Sequence, residues 1–140
     1  MVLALLLAAC TTSTDTTDAG DSAEPLAPTL TNVQNEVFTP SCAFSSCHGE
    51  GGGAAGLSLL TGLAYAELVA VPAEGAYPSP APINSIRVVP ADPDGSYLMV
   101  KIDPASEGEI SGDLMPAPDG LDADRVELVR QWILLGAQEN

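Results

Sequence analysis

The tightest constraint on this chain is a cluster of reactive side chains in the stretch "FTPSCAFSSCHGEGGG". Cys42 and Cys47 stand there with four residues between them, and His48, the only histidine of the chain, follows Cys47 directly. Any fold must bring these three groups near one another, so the remainder has to be built around what they do. A disulfide between Cys42 and Cys47 is feasible at this separation and leaves His48 without a role. A closed zinc site wants four ligands, usually thiolates and imidazoles. Only three stand here, and the adjacent Cys47 and His48 are badly disposed for one tetrahedral ion. Thioredoxin-type redox chemistry uses two intervening residues in a strand-helix setting.

A covalently attached haem gives all three residues a task. Two thiols add across the two vinyl groups of the porphyrin, and the residue after the second cysteine offers its imidazole to the iron. The usual gap of two residues is lengthened to four, which a bulged loop absorbs because the sulfurs need only reach both vinyls. The Cys-His adjacency, which sets the iron ligand, is intact.

At 140 residues the chain supports one domain plus a tail. Only 4% of it is aromatic, so the interior calls for closely packed Leu, Val and Ala or for a bound macrocycle. With 19 acidic residues against 4 basic ones, nucleic acid is a poor partner and none is expected, because phosphate contacts need clustered Lys and Arg. The acidic surface keeps the protein soluble and permits a basic protein partner.

The N-terminal run "MVLALLLAAC" is too short to span a bilayer. It looks like the end of a secretion signal, and Leu7, Ala8, Ala9 and Cys10 resemble the lipobox of bacterial lipoproteins. That resemblance implies cleavage before Cys10, lipidation of Cys10 and anchorage in the cell envelope, with no Lys or Arg ahead of the apolar run. Residues 11–28, "TTSTDTTDAGDSAEPLAP", have almost nothing to bury and are expected to be a disordered tether. The folded domain is expected over residues 29–140, outside the cytoplasm, where cysteine pairs survive.

Within it, "TLTNVQNEVFTPSC" predicts a helix capped by Thr31 or Asn32, with Val33, Val37 and Phe38 on one face and Pro40 ending or kinking it. The glycine-rich residues 49–56 lack the Gly-Lys-Ser/Thr of a phosphate loop. "TGLAYAELVAV" reads as a short helix burying Leu63, Ala66, Leu68 and Val69, and residues 72–82 as a surface loop. "SIRVVP" is briefly extended. "DPDGSYLMVKI" is a helix capped by Asp94 or Ser96, with Leu98, Met99 and Ile102 inward. A loop over residues 107–120 leads to "LDADRVELVRQWILLGA", capped by Asp122, stopped at Gly136, and burying Val126, Val129, Trp132 and Ile133. The domain is mainly α, with long loops and no alternating strand pattern.

"CAFSSCHG", "VVPADPDGSYLMVKI", "LMP" and "ADRVELVRQWILLGA" together resemble a cytochrome c domain of the kind found in bacterial lipoproteins with a lengthened haem motif. The likeness covers about residues 30–140. It implies a small cytochrome c-like helical fold whose N- and C-terminal helices cross near the haem. It also implies thioethers at Cys42 and Cys47, and His48 and Met115 as axial ligands. Met115 is supported separately: with one histidine, the second axial ligand cannot be another imidazole. Met99 lies on an apolar helical face as a core filler, whereas Met115 sits in a loop beside Pro116. Trp132 is expected in the core, Arg87 as a solvated cation or a propionate partner, and Phe38 and Phe44 against haem or core. The expected function is single-electron transfer by a lipid-anchored mono-haem carrier in the periplasm or at the cell surface. It acts on redox partner proteins and is no enzyme. The alternative is a haem-free envelope module stapled by a Cys42–Cys47 disulfide.

Overall fold

A computed structural model of the protein describes residues 24–51, 53–73, 85–106 and 113–140. Cys10 and its proposed anchor, residues 11–23 of the expected tether, and residues 74–82 and 107–112 of the two expected loops lie outside the described residues. The described chain is mainly helical, with four α-helices and no strand.

Helix α1 (Leu30–Val33) runs without a break into π-helical turns over Gln34–Cys42. Its cap is Thr29, two residues ahead of the expected Thr31 or Asn32: the Thr29 hydroxyl accepts from the Asn32 amide at 3.2 Å. The other two candidates are engaged elsewhere. Thr31 Oγ1 donates to the Asn140 carbonyl at 2.8 Å and Asn32 Nδ2 to the Ala27 carbonyl at 2.8 Å.

Nor does Pro40 end the helix; it lies inside the π-helical stretch. A proline ring collides with the carbonyl four residues back in an α-helix and supplies no N–H. Widening the turn by one residue shifts that carbonyl and keeps the chain coiled to Cys42, where the Ala43 amide donates to the Phe38 carbonyl at 2.8 Å. The expected inner face holds, because Val33, Val37 and Phe38 are all buried.

Helix α2 (Ala64–Leu68) starts later than the sequence suggests and buries Ala64 and Leu68, one turn apart. Leu63, expected inside, is the residue before the helix and is exposed, as is Ala66. The segment around residues 85–89 is extended, as expected, but forms only isolated bridges: Val69 with Val88, Pro72 with Ile86, Ile86 with Ser96, and Val89 with Asp92. Helix α3 (Tyr97–Ile102) buries Met99 and Ile102. Ser96 holds its N-cap position without capping it, because that hydroxyl is committed to the preceding turn. It accepts from the Val89 amide at 2.8 Å and donates to the Asp92 carbonyl at 2.7 Å.

Helix α4 (Ala123–Leu134) matches its sequence reading closely. Asp122 caps it through Oδ1, which accepts from the Arg125 amide at 3.1 Å. Val126, Val129, Trp132 and Ile133 are buried together. Gly136 ends it with φ of 99°, and the Ala137 amide then reaches back to the Trp132 carbonyl at 2.9 Å. The indole of Trp132 donates to the Gln138 carbonyl at 3.0 Å, which satisfies its one polar atom inside the core. Helix α4 packs against both α1 and α3. The shared core of Val33, Val37, Phe38, Val88, Val129, Trp132 and Ile133 therefore sits directly behind the end of the π-helical stretch, where Cys42 lies.

Candidate functional site

The structure gathers Cys42, Cys47 and His48 in one hydrogen-bonded loop that begins where the π-helical turns stop. The chain leaves Cys42, turns over Phe44, Ser45 and Ser46, and returns: the Cys47 and Gly49 amides both donate to the Phe44 carbonyl at 2.9 Å. The His48 amide donates to the Cys42 carbonyl at 3.1 Å and closes the loop. Gly49 is required by this geometry. A Cβ there would stand 2.6 Å from the Ala43 carbonyl oxygen and 2.7 Å from that of Phe44. The residues between Cys42 and Cys47 are accommodated in this outward turn, where Phe44, Ser45 and Ser46 are exposed.

Beyond the glycines the chain folds back alongside His48. The Ala54 amide donates to the Cys47 carbonyl at 2.7 Å and the Leu59 amide to the His48 carbonyl at 2.8 Å. This return places the Leu57 carbonyl 3.1 Å from His48 Nδ1. A carbonyl only accepts, so Nδ1 carries the proton and the lone pair of a neutral imidazole lies on Nε2. Burial lowers the His48 pKa below its ordinary value; the Leu57 and Ala54 carbonyls oppose that change and the nearby Arg87 charge adds to it. The ring is thus held neutral and oriented at neutral pH, the state a metal-ligating imidazole needs.

Two residues to which the sequence reading gave no such role make contacts near this arrangement. Gln34 is buried, and its Nε2 donates to the Leu59 carbonyl at 3.0 Å, tying the π-helical stretch to the strip that orients His48. Glu67 takes Arg87, whose Nη1 donates to the Glu67 carbonyl at 2.7 Å and lies 3.4 Å from its carboxylate. Arg87 is therefore a half-buried ion-pair partner rather than a solvated cation. Gln34 had no visible signal beyond being a polar residue between buried Val33 and Val37; the Glu67 contact had none.

Both cysteines are free thiols. Cys42 is buried and its pKa is pushed up to about 11, first by burial and then by the neighbouring Cys47, with Arg125 on α4 acting in the opposite sense. Among the described residues no three of His, Cys, Asp and Glu come together as a chelating group. Met115 lies on the segment that enters α4 and is exposed, its amide donating to the Lys101 carbonyl at 2.6 Å. Phe38 is core, while Phe44 is on the surface. Two cavities of about 280 and 240 Å³ are lined by residues such as Gln34, Thr61 and Tyr65, and by Pro28, Trp132 and Leu135; neither is lined by Cys42, Cys47, His48 or Met115.

Comparison of the chain with protein-family models, curated proteins and solved structures finds no match.

Proposed function

We propose that this protein is a mono-haem c-type electron carrier of cytochrome c-like fold, attached to the cell envelope through lipid at Cys10. The observation that carries this reading is the state of His48. It follows directly on Cys47, and its Nδ1 lies 3.1 Å from the Leu57 carbonyl, which would make Nε2 the metal-binding nitrogen.

In this reading Cys42 and Cys47 would hold the cofactor through their sulfurs, and His48 and Met115 would be its iron ligands. Bound haem would supply one-electron exchange between ferric and ferrous iron. The chain's contribution is to orient the imidazole through Leu57 and to keep it neutral by burial, and with His48 and Met115 both retained as ligands no substrate would bind the metal. That describes a carrier serving redox partner proteins rather than an enzyme. The packing of α1 against α4 agrees with the crossing of terminal helices that the cytochrome resemblance implies.

The test is expression of the full chain with a haem-attachment system competent for c-type cytochromes. The mature protein is expected to gain one haem mass, to keep the pigment in a denaturing gel, and to change its reduced spectrum when Met115 is replaced by Ala. A colourless product that has lost two hydrogens would instead establish the disulfide-stapled module.

A further inference from the structure

Gln34 opens the π-helical stretch and is 5% exposed, lying in sequence between the buried Val33 and Val37. Burying an amide is unfavourable unless its polar hydrogens are met. Here Nε2 donates to the Leu59 carbonyl at 3.0 Å and to the Thr39 hydroxyl at 3.1 Å, so both hydrogens are used. The Leu59 contact reaches outside the helix. Leu59 is itself gripped from its other side, its amide donating to the His48 carbonyl at 2.8 Å. Two residues earlier the Leu57 carbonyl stands 3.1 Å from His48 Nδ1. Ser58 adds no hold between them, because its buried hydroxyl has no partner among the described residues. Among those residues, the bond from Gln34 is the hydrogen bond that ties residues 57–59 to a helix.

We propose that Gln34 is a positioning residue for the His48 ring: through the Leu59 carbonyl it holds the strip whose Leu57 carbonyl keeps the ring proton on Nδ1. An unconstrained neutral imidazole exchanges its proton between both nitrogens, and the partner of one nitrogen decides which keeps the lone pair. Without the Gln34 donor the Leu59 carbonyl is buried and unpaired, and the strip gains by moving toward another donor or toward water. The Leu57 carbonyl moves with it, and the lone pair is no longer confined to Nε2. The proposal rests on the haem reading only for what Nε2 binds; the place of the ring proton belongs to the haem-free chain.

His48 is the chain's only histidine, so its ring gives one set of signals in a long-range proton–nitrogen correlation spectrum of the full, reduced, haem-free chain. At about pH 8 a histidine of ordinary or lowered pKa is neutral, and the two ring nitrogen shifts report the tautomer. Wild type is expected to carry the proton on Nδ1. Gln34→Met matches the length of the side chain without a donor. In it the population protonated on Nδ1 is expected to fall at least about twofold, as both tautomers become populated. Val129→Ala truncates the core on α4 and should lower the urea midpoint while keeping the wild-type tautomer. If Gln34→Met does not fold, Gln34→Asn replaces it, keeping the amide but drawing it back by one carbon, with the same fall expected. A wild-type ring protonated on Nε2, an unchanged tautomer in the Gln34 variant, or an equal change in Val129→Ala would overturn the proposal. A tautomer that depends on Gln34 in a chain that gains no haem from an attachment system would remove the functional reading and leave this one standing. Covalent haem together with a tautomer indifferent to Gln34 would remove this one alone.

Discussion

Cys42 couples the core to alkaline pH. Its thiol ionises near 9.0 in a solvated chain and near 11 in the folded one. A folded-state value raised above the unfolded one means that the unfolded chain releases its proton first. The stabilisation it gives is thus complete below pH 9 and is lost as pH rises toward 11. At about 1.4 kcal/mol for each pH unit, the full interval amounts to roughly 2–3 kcal/mol. The expected outcome is a urea midpoint for the reduced, haem-free protein that falls between pH 8 and about pH 10.5 more steeply than that of Cys42→Ala. Parallel curves would show that Cys42 is accessible to solvent in the folded chain. A thioether carries no proton, so a cofactor-loaded protein should lose this component altogether.

Among the elements, the loop from Cys42 to Leu59 depends on one position more than any other. At Gly49 an added Cβ meets two backbone oxygens within 2.7 Å, and backbone cannot swing aside as a side chain can. At Gly56, with φ of 64°, a Cβ meets nothing within 4 Å and faces only the strain of a left-handed conformation. Gly49→Ala is therefore expected to cost at least about 2 kcal/mol and Gly56→Ala about 1 kcal/mol, read as urea midpoints. Equal losses would show that the turn at Gly49 relaxes freely. The same contrast explains what could be read from the sequence. Asp122, Gly136 and the spacing of Val126, Val129, Trp132 and Ile133 define α4 by local signals alone, and the helix forms where they say. For helix α1 the sequence suggested Thr31 or Asn32 as cap, but Asn140 and Ala27 engage those two side chains and Thr29 caps instead. The π-helical turns through Pro40 were illegible because proline announces a break, and the sequence does not encode how much a turn can widen. The Cys-His cluster stood out because its side chains are rare and reactive. The Leu57 carbonyl that orients it is backbone, which every residue possesses, so no residue type marks it.

At the scale of the whole molecule, a formal net charge of −15 sets acidic groups against one another. The compensating pairs are sparse. Arg130 on α4 lies 2.8 Å from Asp94 and 3.5 Å from Asp103, and Arg125 lies 3.3 Å from Asp122, all with at least one partly exposed partner. Pairs of that kind contribute about 0–1 kcal/mol each, so repulsion spread over the surface should outweigh what salt removes from them. Raising sodium chloride from about 10 mM to about 0.5 M is expected to increase the melting temperature, as the screening length shrinks from roughly 30 Å to a few ångströms. A melting temperature that falls instead would place the attractive pairs in charge of the electrostatics. The clasp at the base of α1 has a mechanical side. The Leu30 amide, the Thr31 amide and the Thr31 hydroxyl all grip Asn140, so the start of the first helix and the tail beyond α4 are riveted to each other. Tension drawn through residues 24–29 therefore meets three bonds to Asn140 at once. Along the chain those bonds come before the turns that lead to Cys42, so a pull from that side is met at the rivet first.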